Sequence, residues 1–380
     1  MFGYDVRVAR ALAKLPVSGL TVGSAIRSLP PVANVTPSPM QRRAFLKTVG
    51  AAAGGVAFGL KPAFADPADP TRSLISHASG LPRRVLGRTG RAVSVVGYPG
   101  LALSKVSQDE ANRALKSAHE GGINYFDVAP AYGDAEVKMG IAMQGMKRDD
   151  IFLACKTKQR DAAGSRAELE RSLVRLKTDH FDLYQLHVMA SAADVKQAFG
   201  PGGVMETLVK ARDEGKVRWL GFSAHTKEAA LELLSRFKFD TVMYPVNFVE
   251  HYTHKFDPEV LSLCRREGAA VIAIKPISAG GWKPGEKKTR NGWWYRPLED
   301  QTEINLAVRF SLSLDPVVSV LPTSFTDLAE RSIIAGRSFT PATERDFAAM
   351  EAMAERYIPL FRKKSTADAA PHTDYFTRIA

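Results

Sequence analysis

Four polar side chains, Asp127, Tyr132, Lys156 and His187, define the chemistry this chain can do. Three of them end or adjoin the apolar runs 124–127 (NYFD), 151–156 (IFLACK) and 183–187 (LYQLH), and Tyr132 lies in the segment after the first run. Adding hydride to a carbonyl places negative charge on oxygen, and an acid must neutralise that charge as it forms. A tyrosine with an ordinary pKa of about 10 becomes a better acid beside an ammonium, which favours the phenolate. Lys156 is expected to supply that charge, Asp127 to keep the lysine protonated and aimed, and His187 to orient the carbonyl. Tyr132 is then the general acid. Singly, each residue has an ordinary explanation: a turn aspartate, a rim tyrosine, a solvated lysine, a core histidine. Their joint placement at successive strand ends is what argues for a site.

The elements needed to hold these residues repeat along the chain. Strand-like runs at 93–97, 124–127, 151–156, 183–187, 217–223, 241–246, 270–275 and 317–321 alternate with helical patterns near 107–120, 135–143, 166–176, 204–214, 227–237, 258–267 and 302–313, with one more at 326–335. Eight strand–helix units predict an α/β fold, a single-domain (β/α)8 TIM barrel. A doubly wound sheet is the alternative, disfavoured because no G-x-G-x-x-G turn opens a helix. Residues 81–92 predict an N-terminal hairpin closing the bottom of the barrel. Residues 280–300 form a long loop carrying Trp282, Trp293, Trp294 and Tyr295 among Lys283, Lys287, Lys288 and Arg290, which suits a lid over a substrate or cofactor. Residues 341–380 predict a C-terminal helix and a polar tail.

The first 65 residues stand apart. Gln41-Arg42-Arg43-Ala44-Phe45-Leu46-Lys47, an uncharged run over 48–60, and Ala63-Phe64-Ala65 follow the plan of a cleavable secretory signal of the twin-arginine type. The predicted organisation is a leader and signal over 1–65, with Met40 as a candidate start, a linker over 66–80 and the barrel over 81–340. The expected destination is the periplasm or the exterior, reached through the twin-arginine machinery. The apolar run is too short for a permanent membrane anchor, which needs about 20 residues. Eight Lys/Arg and one Asp fall in 1–65, so the formal charge of +12 drops by seven to +5 beyond it. That balance argues against a dedicated nucleic-acid surface. Cys155 and Cys264 read as small buried hydrophobes, joined only if their geometry permits. His251 and His254 lack a third ligand at metal-site spacing, so no metal is expected.

Segments 125–142 (YFDVAPAYGDAEVKMGIA), 152–158 (FLACKTK), 169–187 (LERSLVRLKTDHFDLYQLH) and 205–223 (METLVKARDEGKVRWLGFS) resemble, in order, signature segments of the aldo-keto reductases. The resemblance implies a barrel that binds NADP(H) at its C-terminal rim and reduces a small-molecule aldehyde or ketone. The family's catalytic aspartate, tyrosine, lysine and histidine fall on Asp127, Tyr132, Lys156 and His187. Cofactor contacts are implied at Asp127, Ser223, Lys275, Pro276, Ser324 and Glu330. The pattern departs from the family at three positions: Ala224, Met243 and Ile274 stand where an asparagine, a glutamine and a stacking aromatic are usual. A shortened segment after 321 leaves Arg331 or Arg337 to meet a 2′-phosphate, so NAD(H) is the alternative cofactor. The competing functional expectation is an exported cofactor-binding or regulatory barrel with little turnover. Oligomeric state is not legible in the sequence.

Overall fold

Residues 74–290 and 292–361 are described by the computed structural model. The leader and the export signal expected in it, the first part of the linker and the tail beyond 361 lie outside the described residues. Strands β1 (Arg83–Val85) and β2 (Ala92–Ser94) pair as an antiparallel hairpin. Eight parallel strands follow in sequence order: β3 (Tyr98–Pro99), β4 (Tyr125–Asp127), β5 (Phe152–Thr157), β6 (Phe181–Met189), β7 (Val217–Ala224), β8 (Thr241–Pro245), β9 (Ala270–Ile274) and β10 (Val317–Leu321). A bridge between Val96 and Val320 closes the ring. The fold is a (β/α)8 barrel.

Alternation along each strand sorts the side chains. Tyr125, Phe152, Ala154, Leu183, Met243, Ala270 and Ile272 point inward and pack with Leu86 and Val93 of the hairpin. Phe126, Leu153, Cys155, Tyr184 and Leu186 point outward against the helices. Inside, Phe152 stacks on Trp219 at 5.8 Å and meets Tyr125 edge-on at 5.7 Å. The hairpin is pinned beneath by Arg84, whose Nη1 donates to the carbonyls of Leu312 and Val317 at 2.8 Å each. The expected bottom plug is therefore present, its strands spanning 83–94, two residues on from the predicted 81–92.

One strand boundary needs correction. The run 93–97 is divided, because Val93 and Ser94 belong to the hairpin and the ring's own strand begins at Tyr98. The Ser94 N–H is taken by the Asn124 side chain at 2.7 Å and the Val95 N–H by Pro82 O at 3.0 Å, so pairing with β4 starts later. Helices Ala192–Phe199 and Phe248–His254, each short and set in a connection after its strand, were outside the expected pattern. Asp257 precedes Pro258, the first residue of helix Pro258–Glu267, yet its carboxylate pairs with His251 Nδ1 at 2.9 Å and makes no capping bond. Among the described residues no cluster of acids, histidines or cysteines could hold a metal ion, and no helix is long and apolar enough to cross a membrane. Cys155 and Cys264 are both buried and free.

Gly100, just beyond β3, lets that segment touch the end of β4. A Cβ there would meet Asp127 O at 2.3 Å and Met139 Cε at 2.9 Å. Gly100→Ala is expected to cost about 1–3 kcal/mol through overpacking, read as a melting temperature several degrees lower. An unchanged melting curve would show that β4 yields without penalty.

Candidate active site

The three strand-borne residues meet because of the barrel's stagger. Asp127 of β4 lies level with Ala154 of β5, and Lys156 is two residues further up. Lys156 in turn lies level with Gln185 of β6, and His187 is again two residues further. Each step keeps the side chain on the inner face and climbs about 6.6 Å along the strand, at about 3.3 Å per residue. Strand tilt in a closed barrel offsets that climb. Tyr132 arrives from the loop before helix Ala135–Ala142.

Asp127 and Lys156 are 3 % and 0 % exposed and form a buried ion pair through Oδ1 and Nζ. Lys156 Nζ also donates to Val128 O at 3.2 Å and to the Tyr132 hydroxyl at 3.4 Å. The Tyr132 hydroxyl lies 3.5 Å from His187 Nε2, with the rings edge-on. The inner-face Tyr125 donates to Asp127 Oδ2 at 3.4 Å. The structure thus brings Asp127, Tyr132, Lys156 and His187 into one continuous cluster.

Burial alone would pull the Lys156 pKa down, but Asp127 and the Tyr132 oxygen outweigh it and the net direction is up, so the ammonium is retained. For Tyr132 burial pushes upward, Lys156 pulls against it, and the phenol ends above its ordinary value. This corrects the expected lowering: the ammonium moderates a burial effect larger than its own. His187 is driven well below the usual histidine range by burial, then by Lys156, Lys158, His225 and Arg160, and is therefore neutral. The resting site holds a protonated phenol beside an uncharged imidazole.

His187 is set by a feature the sequence does not announce. Val188 has φ +54°, a left-handed conformation costly for a β-branched residue, and it interrupts the pairing of β6 with β7. Its N–H donates to Ser223 Oγ at 2.8 Å, and Arg160 Nη2 donates to His187 O at 2.8 Å and Val188 O at 3.3 Å. Arg160, two residues beyond Lys158 in a basic turn, has no local signature that marks it as the clamp on the next strand.

The cluster opens into a cleft. Asp127, Tyr132, His187, Ser223, Lys275 and Ser324 all line it. Pro276 is buried and Glu330 exposed, and neither lines the cleft. Ala224 is buried, while Met243 and Ile274 occupy the cleft wall. Trp293, Trp294 and Tyr295 from loop 280–300 also line it. That loop is fastened. Arg290 pairs with Asp327 at 2.6 Å and with Glu299 at 2.5 Å, and Lys105 Nζ lies 3.8 Å from the Trp293 ring centre and 3.9 Å from that of Phe325. Arg331 is bound to Glu299 O and Arg337 to Gly121 O.

Comparison with known proteins agrees with this fold. The profile of the Aldo/keto reductase family matches residues 95–302, and the chain belongs to that family of oxidoreductases. It is similar to the uncharacterized oxidoreductase YqkF of Bacillus subtilis (strain 168), with 27% identity over 280 residues, 67% of this chain and 87% of that one. It is also similar to L-galactose dehydrogenase of Arabidopsis thaliana, with 28% identity over 270 residues, 63% and 82% of the two chains. Among solved structures, the holo form of aldo-keto reductase AKR11C1 from Bacillus halodurans superposes with a TM-score of 0.58 at 24% identity, covering 75% of this chain and 98% of that one. At that identity the likeness speaks for the fold.

Proposed function

We propose that this protein reduces the carbonyl group of a small aldehyde or ketone to an alcohol, with Tyr132 as general acid. The observation that carries the proposal is the buried chain Asp127–Lys156–Tyr132–His187, in which one hydroxyl faces both an ammonium and a neutral imidazole at 3.4 and 3.5 Å. His187, uncharged, can donate one hydrogen bond to the carbonyl oxygen and hold it beside the phenol. As charge develops on that oxygen Tyr132 releases its proton, and the fixed ammonium of Lys156 stabilises the phenolate left behind. Asp127 keeps Lys156 charged and in place throughout.

NADP(H), with NAD(H) as the alternative, is the proposed cofactor and supplies the hydride when bound. Hydroxyl groups lining the cleft support that reading. The Ser223 hydroxyl accepts from Val188 and retains its own hydrogen to donate, and Ser324 also lines the cleft. Export through the twin-arginine pathway remains part of the proposal and rests on residues 41–65. Fluorescence titration with NADPH and NADH, followed by aldehyde-dependent oxidation, tests the reading. Tight binding without turnover on a broad carbonyl panel would favour the binding-protein alternative, to which Ala224, Met243 and Ile274 lend weight.

The pH profile should be flat across neutrality. Tyr132 lies above its ordinary value and stays protonated, and His187 lies well below its own and stays neutral. The kcat for reduction is therefore expected to hold a plateau from about pH 6 to about pH 9 and to fall only as the phenol ionises. A loss of activity centred on the ordinary histidine pKa of about 6.5 would sink the assignment of a neutral His187.

A further inference from the structure

The cleft contains a buried cation that the proton-transfer chain does not use. Lys275, just beyond β9, is 8 % exposed, and its Nζ donates to His225 Nε2 at 3.1 Å. The rings of Trp294 and Phe361 flank it at 5.3 and 5.8 Å. Among the described residues no carboxylate forms an ion pair with it. Glu250, the acid that acts on it electrostatically, directs its two oxygens to the backbone N–H groups of Leu360 and Phe361 at 2.6 and 3.4 Å. A lysine removed from water without a counter-ion is costly. Burial accordingly pushes the Lys275 pKa down to about 7, with Glu250 opposing. A negative group brought in by a ligand would remove that cost.

The side chain's direction shows where the negative group would lie. Lys275 leaves β9 and leans across β8 to His225 at the end of β7, away from β10 and Ser324. His225 acts on His187, and Lys158, which also lines the cleft, acts on both imidazoles. Asp127 is the acid lining this cleft, and it is already matched by Lys156. Lys275 and Lys158, the latter offset in part by Glu168, thus lie on the side where His187 would orient the carbonyl.

We propose that Lys275, with His225 and Lys158, forms an oxyanion subsite for the substrate, so that the preferred carbonyl compound carries a second, ionised group, a carboxylate or a phosphate. This rests on the carbonyl-reductase reading above and adds the substrate's charge to it. The reacting carbonyl sits at Tyr132 and His187, and the ionised group completes the unmatched lysine.

Matched pairs test it: succinic semialdehyde against butanal for the carboxylate, and glyceraldehyde phosphate against glyceraldehyde for the phosphate, with the full chain and saturating NADPH. The acid member of at least one pair is expected to have the higher kcat/KM by about tenfold or more, because a site built around a charge penalises a ligand that lacks it. Which pair shows the preference identifies the group. Lys275→Met and Lys158→Met should each reduce that ratio, Lys275→Met towards one, and Lys275→Arg should restore part of it. Ratios near one in both pairs with the wild-type enzyme overturn the proposal, whether or not the variants fold. So does a folded Lys275→Met enzyme that keeps the preference while its NADPH affinity falls tenfold, which would assign the lysine to the dinucleotide's phosphates. If no pair is turned over, the reductase reading fails and the subsite is judged by quenching of the cleft tryptophans. Quenching by γ-hydroxybutyrate or glycerol phosphate but not by butanol, abolished in Lys275→Met, supports it, and equal or absent quenching overturns it.

Discussion

Lys156→Met is expected to cost about 3–5 kcal/mol of stability, because it leaves the Asp127 carboxylate buried without its partner. Few other single substitutions in this barrel should cost as much, since Lys156 is 0 % exposed and bonds at once to Asp127, Val128 and Tyr132. The same change removes the only ammonium within bonding distance of the phenol among the described residues. The Tyr132 pKa, already above its ordinary value through burial, then loses the influence that holds it down. Carbonyl reduction should fall by about 10³ or more, since the acid weakens and the charge left on its oxygen is no longer stabilised. Denaturant unfolding and steady-state kinetics read the two effects separately. A double variant, Asp127→Leu with Lys156→Met, should recover much of the stability and none of the activity, because both charges are then gone. A Lys156→Met protein within about 1 kcal/mol of wild type would mean that Asp127 takes up a proton at little cost.

The second large effect is expected at Tyr132. Tyr132→Phe removes one hydroxyl, leaves the ring against His187 in its edge-on contact, and leaves the Asp127–Lys156 pair intact. Carbonyl reduction should drop by about 10²–10⁴, the usual contribution of a positioned acid. Binding of NADPH, followed through the tryptophans of loop 280–300, should change by less than about twofold, because the missing group is required only as charge develops. Turnover within threefold of wild type would remove Tyr132 from its role and leave His187 as the remaining donor. The two variants also separate chemistry from architecture. One should be inactive and destabilised, the other inactive at nearly wild-type stability.

The barrel and the four-residue cluster were legible because both follow from period-two alternation and strand order. Asp127, Lys156 and His187 each lie two or four residues beyond an inward-facing apolar residue, so facing the interior together follows once the strands are parallel. Polarity at a strand end is also a strong local mark. The start of the ring was less legible. Residues 93–97 are apolar throughout, and nothing in such a run says that Ser94 will bond to Asn124 while Tyr98 begins the next pairing. The short helices Ala192–Phe199 and Phe248–His254 are two turns long and gain their stability from neighbours rather than from periodicity.

At the site, what escaped the sequence depends on distance through space. The direction of the Tyr132 shift is a contest between burial and one ammonium, and burial depends on the whole surrounding structure. The clamp of Arg160 on Val188 joins residues 28 positions apart. Lys275, implied by the resemblance as a cofactor contact, carries no local mark of burial. Its burial is produced by Trp294 from one loop and by Phe361 from the end of the described chain, where Phe361 stacks on Phe256 at 4.9 Å. None of these partners is near it in sequence.

The hairpin beneath the barrel makes the interior a blind well. With Leu86 and Val93 corking one end and aromatic rings filling the shaft, every ligand has to enter and leave through the same mouth. Whatever binds is therefore confined to the rim, and the hairpin's contribution is to keep the rings beneath it from shifting downward.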